Sequence, residues 1–245
     1  MRKVSFLAAA ALALAAVAAG QTAEDLIQKN IEARGGLEKL RAVRSLRMTG
    51  TMSLDDEGTA PTVLEFKRPS RVRWEFTVDG QTGIQAFDGT TAWVVMPFRG
   101  RSEPREMSPE DRKGIQLQAD IDGPLVDAGK KGNRIELVGR EKTDGRDAWK
   151  LKITSKDGEE RFVFLDPKTY LQVLTVTQRK VDGQSVEIEN RIGDYREVGG
   201  VKLPHSFEAV AEGVSQSQTL RFDKIEINVP IDDARFVMPS RESAR

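Results

Sequence analysis

From residue 45 onward the apolar and polar positions alternate with a period of two. Leu46, Met48, Met52 and Leu54 fall on one side of the first run, with Arg47, Thr49, Thr51 and Ser53 on the other. The pattern returns at Leu64 and Phe66, and again at Val72, Trp74, Phe76 and Val78 with Arg71, Arg73, Glu75 and Thr77 between them. It recurs at Trp149, Leu151 and Ile153, at Phe162 and Phe164, and at Val186, Ile188 and Ile192. Each run reads as a strand with one apolar face. Asp79-Gly80, Asp88-Gly89, Asp144-Gly145, Asp157-Gly158 and Asp182-Gly183 punctuate the runs. Asp-Gly favours a tight hairpin because both residues tolerate positive φ, so neighbouring strands pair antiparallel. The expectation is a mainly β (α+β) fold with about 11 strands in one curved meander. A sheet of that size curls as strand twist accumulates, which gives an incomplete barrel.

Two segments carry helical spacing instead. Thr22 with Asp25 three residues on has the form of a capping box, and Leu26, Ile27, Asn30 and Ile31 follow, predicting an amphipathic helix over 23–33. Gly35 and Gly36 stop it, and Leu37, Leu40 and Val43 predict one or two further turns. Residues 104–131 are rich in charge, and Ser108-Pro109-Glu110-Asp111 is a helix start with an N-cap serine and proline at the first helical position. A helix from 109 to about 119 is predicted, with Leu117, Ile121 and Leu125 as an apolar edge that lies over the concave face of the sheet.

The first 20 residues stand apart. Arg2 and Lys3 precede a run, 4–19, with no charge and Ser5 as its one polar side chain, ending in Ala18, Ala19 and Gly20. This is the layout of a secretory signal peptide cleaved near Gly20/Gln21, leaving 21–245 as one domain. The run is shorter than the roughly 20 residues of a membrane span, though an uncleaved anchor is the competing reading. Losing Arg2 and Lys3 from 38 basic residues leaves 36 against 38 acidic ones, a net charge of −2. Bulk charge therefore recruits neither nucleic acid nor an anionic membrane. The chain has no cysteine, so neither disulfides nor thiolate metal sites contribute, and export implies a periplasmic location for a monomer.

Candidate chemistry is sparse. His205 is the one histidine and has no nucleophile elbow beside it, so no catalytic residue is assigned and the chain is not expected to be an enzyme. Asp55-Asp56-Glu57 and Glu159-Glu160 flank turn glycines and read as solvated hairpin tips. Gly199-Gly200 is followed by a strand, not by the helix a phosphate loop needs. No metal site and no cofactor is expected. Trp74, Phe76, Trp93, Met96 and Phe98 gather near the middle of the sheet. They read either as core packing or as the wall of an apolar cavity, since a curl of about 11 strands is wider than its side chains readily fill.

The order of elements, together with 30–36 (NIEARGG), 164–171 (FLDPKTYL), 194–204 (DYREVGGVKLP), 227–230 (INVP) and 236–239 (FVMP), resembles the outer-membrane lipoprotein-sorting carriers, the LolA/LolB-like proteins. The resemblance implies a periplasmic carrier involved in outer-membrane lipoprotein sorting. Its apolar cavity would take lipid or lipoprotein acyl chains, with envelope transport components as possible partners. The cavity candidates are Met48, Met52, Leu64, Phe66, Val72, Trp74, Phe76, Val78, Trp93 and Phe164; the lid candidates are Leu117, Ile121 and Leu125. The family also implies an arginine that latches the lid, for which Arg47, Arg71 and Arg73 are all candidates. The alternative on the same fold is an envelope sensor or protein-interaction module without lipid transport.

Overall fold

The structure is a computed structural model that describes residues 20–53, 58–181, 184–213 and 217–240. The expected signal segment up to residue 19, the acidic tip at 55–57 and the Asp182-Gly183 turn lie outside the described residues. No helix among the described residues is long and apolar enough to cross a membrane.

Helix α1 (Ala23–Ala33) begins on the capping box: Asp25 N donates to Thr22 Oγ1, and Thr22 N donates to Asp25 Oδ2. Gly35 and Gly36, both at positive φ, end it and lead into α2 (Leu37–Ala42). Six strands follow: β1 (Ser45–Ser53), β2 (Thr59–Lys67), β3 (Arg71–Val78), β4 (Gln81–Phe87), β5 (Ala92–Met96) and β6 (Arg101–Glu106). Helix α3 (Pro109–Gln118), capped by Ser108, then carries the chain away from this meander. Seven more strands complete it: β7 (Arg134–Thr143), β8 (Arg146–Thr154), β9 (Glu160–Leu165), β10 (Gln172–Val181), β11 (Gln184–Val198), β12 (Val201–Ala211) and β13 (Ser217–Ile227).

All of these strands form one antiparallel sheet in the order β6-β5-β4-β3-β2-β1-β13-β12-β11-β10-β9-β8-β7. Two meanders thus meet at a single seam, β1 against β13, and β6 and β7 remain as unjoined ends of an open, curved sheet. At the seam the register shifts between Thr49 and Gly50, and a Cβ on Gly50 would stand 1.9 Å from the Arg221 carbonyl oxygen. Only a glycine admits that approach.

The expected strand count was about 11 and the sheet has 13. Part of the difference is β6, whose sequence RSEPRE lies in a stretch that reads as a charged break in the strand pattern. It is an exposed end strand paired only to β5, and its charges and Pro104 are what such an edge carries to resist further pairing.

The two faces of the sheet are covered differently. On the inner face, α1, α2 and residues 121–126 pack against β1, β8, β9, β12 and β13, burying Leu26, Ile31, Leu40, Leu125 and Val126. On the outer face, the tail after β13 folds back over β2–β5 and buries Ile231 and Phe236. Trp93 Nε1 donates to the Phe236 carbonyl at 2.7 Å. Burying a phenyl ring fully, as at Phe236, contributes about 1.5–3 kcal/mol.

Candidate functional site

Strand register assigns each cavity candidate to a face. Met48 pairs with Leu64 and Leu64 with Trp74; Phe66 pairs with Val72; Met52 pairs with Ala60. These residues, with Phe76 and Val78 farther along β3, share the inner face. Eight of the ten candidates therefore lie together. The row extends across the seam, because Met52 opposes Leu220 on β13, Leu220 opposes Phe207 on β12, and Phe207 opposes Ile192 on β11. Leu220 packs against both the cluster around Phe222 and the one around Phe76. Leu64 and Phe66 likewise join the Phe222 cluster to the one beneath α3. The result is a continuous apolar surface in which Leu64, Phe66, Trp74, Val78, Phe207 and Leu220 remain half-buried.

Trp93 and Phe164 are corrections, since both face outward. Trp93 pairs with Ala86, Ala86 with Arg73, and Arg73 with Glu65, so Trp93 belongs to the outer row under the tail. Phe164 alternates with Val163 and Leu165, which touch the inner cluster around Leu26. Its ring packs instead with Ala148, Phe162 and Leu174, with Lys150 Nζ 5.4 Å from its centroid.

Toward the β3–β4 hairpin the inner face carries a cluster of tilted aromatic rings. Trp74 and Phe76 have ring centroids 5.1 Å apart, and Phe98, on the 3-10 turn Pro97–Arg99, lies 5.6 Å from Phe76. Phe98 reaches over Gly83, where a Cβ would meet its ring at 2.7 Å. Phe76 itself is buried, so it belongs to the floor of this surface.

The crossover from β6 to β7 covers part of the face. Ile115 and Ala119 of α3 pack on Val72, Phe87 and Ala92. Ile121 then meets the cluster around Phe222, and Leu125 the cluster around Leu26. Two lid candidates are thus in contact with the sheet. Leu117 is not: it is 50% exposed, and the buried set on this segment is Ile115, Ala119, Asp122, Leu125 and Val126.

The three candidate arginines bond away from the crossover. Arg47 and Arg73 serve the outer face, bonded to Glu65 and Glu75, and Arg71 pairs with Asp233 of the tail. Arg68, at the end of β2, does hold the crossover. Its Nη1 donates to Asp122 Oδ2 at 2.7 Å and its Nη2 to Asp122 Oδ1 at 2.6 Å, while Nε donates to the Val43 carbonyl at 2.7 Å. These bonds to Asp122 hold the Arg68 guanidinium above its ordinary pKa. Arg34 Nη1 donates to the Asp122 carbonyl at 2.7 Å, and burial pushes its guanidinium down. Arg41 pairs with Asp127 at 2.8 Å and Lys131 with Asp120 at 2.6 Å. The crossover is therefore tied down by ion pairs over an apolar surface.

His205 is buried, with Nδ1 3.1 Å from the Leu203 carbonyl oxygen. Among the described residues no group of three or more His, Asp or Glu side chains is placed to hold a metal ion. Two cavities lie away from the inner apolar face. One, of about 690 Å³, is at the start of the tail beside Arg44, Lys67 and Pro230. The other, of about 270 Å³, is on the outer face over Phe162, Phe164, Leu174 and Val176.

No protein-family model matches the sequence, and no curated protein does. Solved structures do share its architecture. A LolA superfamily protein of Nitrosomonas europaea superposes with a TM-score of 0.60 at 14% identity, covering 89% of this chain and 98% of that one. The fold is LolA-like. A domain of Vibrio parahaemolyticus described as an outer membrane lipoprotein-sorting protein gives 0.56 at 14% identity, over 86% of this chain and 97% of that one. A DUF1329-family protein of Desulfovibrio piger gives 0.54 at 13% identity, over 91% and 98%. The LolA-like open sheet with a helical cover is thus matched over nearly the whole of each relative.

Proposed function

We propose that the protein is a periplasmic carrier that binds lipid or lipoprotein acyl chains on the inner face of its sheet. The observation that carries this reading is the row Ile192, Phe207, Leu220, Met52 and Ala60, which runs unbroken across the seam and leaves Ile192, Phe207 and Leu220 half-buried. Apolar surface left partly wet on the covered side of a sheet gains free energy when an acyl chain displaces its water, at about 25 cal/mol per Å². The crossover supplies a cover whose ion pairs can exchange with water when it lifts, and the LolA-like fold supports the same reading. Residues up to 20 fit as the export signal, and outer-membrane lipoprotein sorting is the process such a carrier would serve.

Leu220→Glu tests this, because that side chain joins two apolar clusters without being fully enclosed. Fluorescence polarisation with a fluorescent fatty acid should show saturable binding to the wild type. In the variant it should weaken at least about tenfold, since a carboxylate among acyl chains lacks partners. Val138→Glu, on an exposed position of β7, should leave binding unchanged. Equal binding by Leu220→Glu and wild type would contradict the assignment of this face.

A second reading, a protein-interaction module, is favoured by the outer cavity over Phe162, Phe164, Leu174 and Val176. It would be preferred if the wild type bound no acyl probe.

A further inference from the structure

Arg161 on β9 has no hydrogen-bond acceptor and no carboxylate partner among the described residues, yet it is half-buried on the inner face. Register fixes that face: Arg161 opposes Ile153 on β8, which is fully buried under α1, and Thr177 on β10. A charged group so placed is ordinarily paired, because its lost hydration has to be replaced. Burial pushes the Arg161 guanidinium down, and only the more distant Asp120 offsets this.

Asp120 makes no direct bond to it, and its Oδ2 is held by Lys131 at 2.6 Å. The charges beneath the crossover do not balance. Arg34, Arg68, Lys131 and Arg161 all lie within the field of Asp120, or bond to it, and Asp122 is the one other carboxylate in this group. Two positive charges are left over, and Arg161 is the cation among the four that has no direct acceptor.

The inner face leads from Arg161 to the apolar row. Thr177 opposes Ile188 on β11, and Ile188 is followed on the same face by Asn190 and Ile192. Ile192 then opposes Phe207, and Phe207 opposes Leu220. Arg161 and Leu220 are four strand spacings apart across the sheet, roughly 19 Å, and the track also runs roughly 13 Å along β11 from Ile188 to Ile192. One end of this track offers a cation with threonine and asparagine side chains, and the other end is hydrocarbon.

We propose that Arg161 is the headgroup anchor of the inner face, which takes an amphiphile bearing one anionic group, a carboxylate or a phosphate, with its chain laid toward Phe207 and Leu220. This rests on the carrier reading and narrows it to a ligand class. Lys113 of α3 pairs with Glu159 at 2.6 Å, two residues before Arg161, so the cover is pinned beside the anchor and would enclose the headgroup.

The test is calorimetric titration of wild type, Arg161→Gln and Arg161→Lys with dodecanoate, dodecyl phosphate and methyl dodecanoate. Wild type should bind at least one anionic amphiphile about tenfold or more tighter than the neutral ester, the range of a charge-assisted hydrogen bond. Arg161→Gln should level that preference while binding the ester as wild type does, and Arg161→Lys should restore part of it. Preference for dodecanoate or for dodecyl phosphate alone identifies the headgroup and supports the anchor. A preference that survives in Arg161→Gln, or a wild type that binds the ester as tightly as the anions, overturns the anchor and leaves the carrier reading standing. Wild type that binds none of the three overturns both.

Discussion

Arg68 and Asp122, 54 residues apart in sequence, form a two-pronged ion pair that ties the crossover to the end of β2. The same guanidinium bonds the carbonyls of Leu40 and Val43, so one side chain links the cover, α2 and the sheet. Bidentate geometry is what an arginine, and not a lysine, supplies here.

Asp122→Asn keeps the shape but removes the charge opposite Arg68. We expect a loss of about 1–3 kcal/mol, less than for a fully enclosed pair because Arg68 keeps 29% of its side-chain exposure. Native-state hydrogen exchange should quicken over residues 120–126 more than over β8 and β9. Unchanged protection of 120–126 would mean that packing of Leu125 and Val126 alone holds the cover.

Gly50→Ala tests the seam. The added methyl would meet the Arg221 carbonyl oxygen at 1.9 Å and the Phe222 Cα at 2.7 Å, so β1 and β13 must part. Denaturant unfolding should show a loss above about 3 kcal/mol, in the tail of single-substitution effects. Gly193→Ala, where nothing lies within 4 Å of the new Cβ, should cost less than about 1 kcal/mol.

Tyr195 gives the fold an alkaline limit. Burial pushes its phenol up to about 12, above the value near 10 of an unfolded chain. The folded state thus favours the protonated phenol: its contribution is complete below pH 10 and is lost as pH rises from about 10 to 12. Two units correspond to roughly 2–3 kcal/mol. Tyr195→Phe should remove that part of the decline in stability over this interval, and an identical decline in the variant would assign it to other groups.

Sequence periodicity made most of the sheet legible because strands with one buried face repeat their side chains every two residues. It misplaced Trp93 for a physical reason. Strand β5 is buried on both faces, under the tail on one side and α3 on the other, so Ala92, Trp93, Val94 and Val95 show no alternation. The tail that covers it comes from more than 130 residues away, as the Trp93–Phe236 bond shows. On the crossover the expected edge 117/121/125 splits because α3 ends at Gln118: Leu117 turns outward, the helix faces the sheet through Ile115 and Ala119, and Ile121 and Leu125 pack on the sheet beyond it. Asp122 is buried beside them and bonded to Arg68, and no local pattern reveals a pair 54 residues apart. Arg161 was legible only as one more polar residue in an alternating strand; its lack of a partner is a tertiary fact.

The central claim, that acyl chains occupy the inner face, is tested most directly by native mass spectrometry of the protein purified without detergent from its own cell envelope. The expected spectrum carries adducts that release acyl chains on collisional activation and that diminish in Leu220→Glu. A wild-type spectrum holding the bare protein mass alone would contradict it.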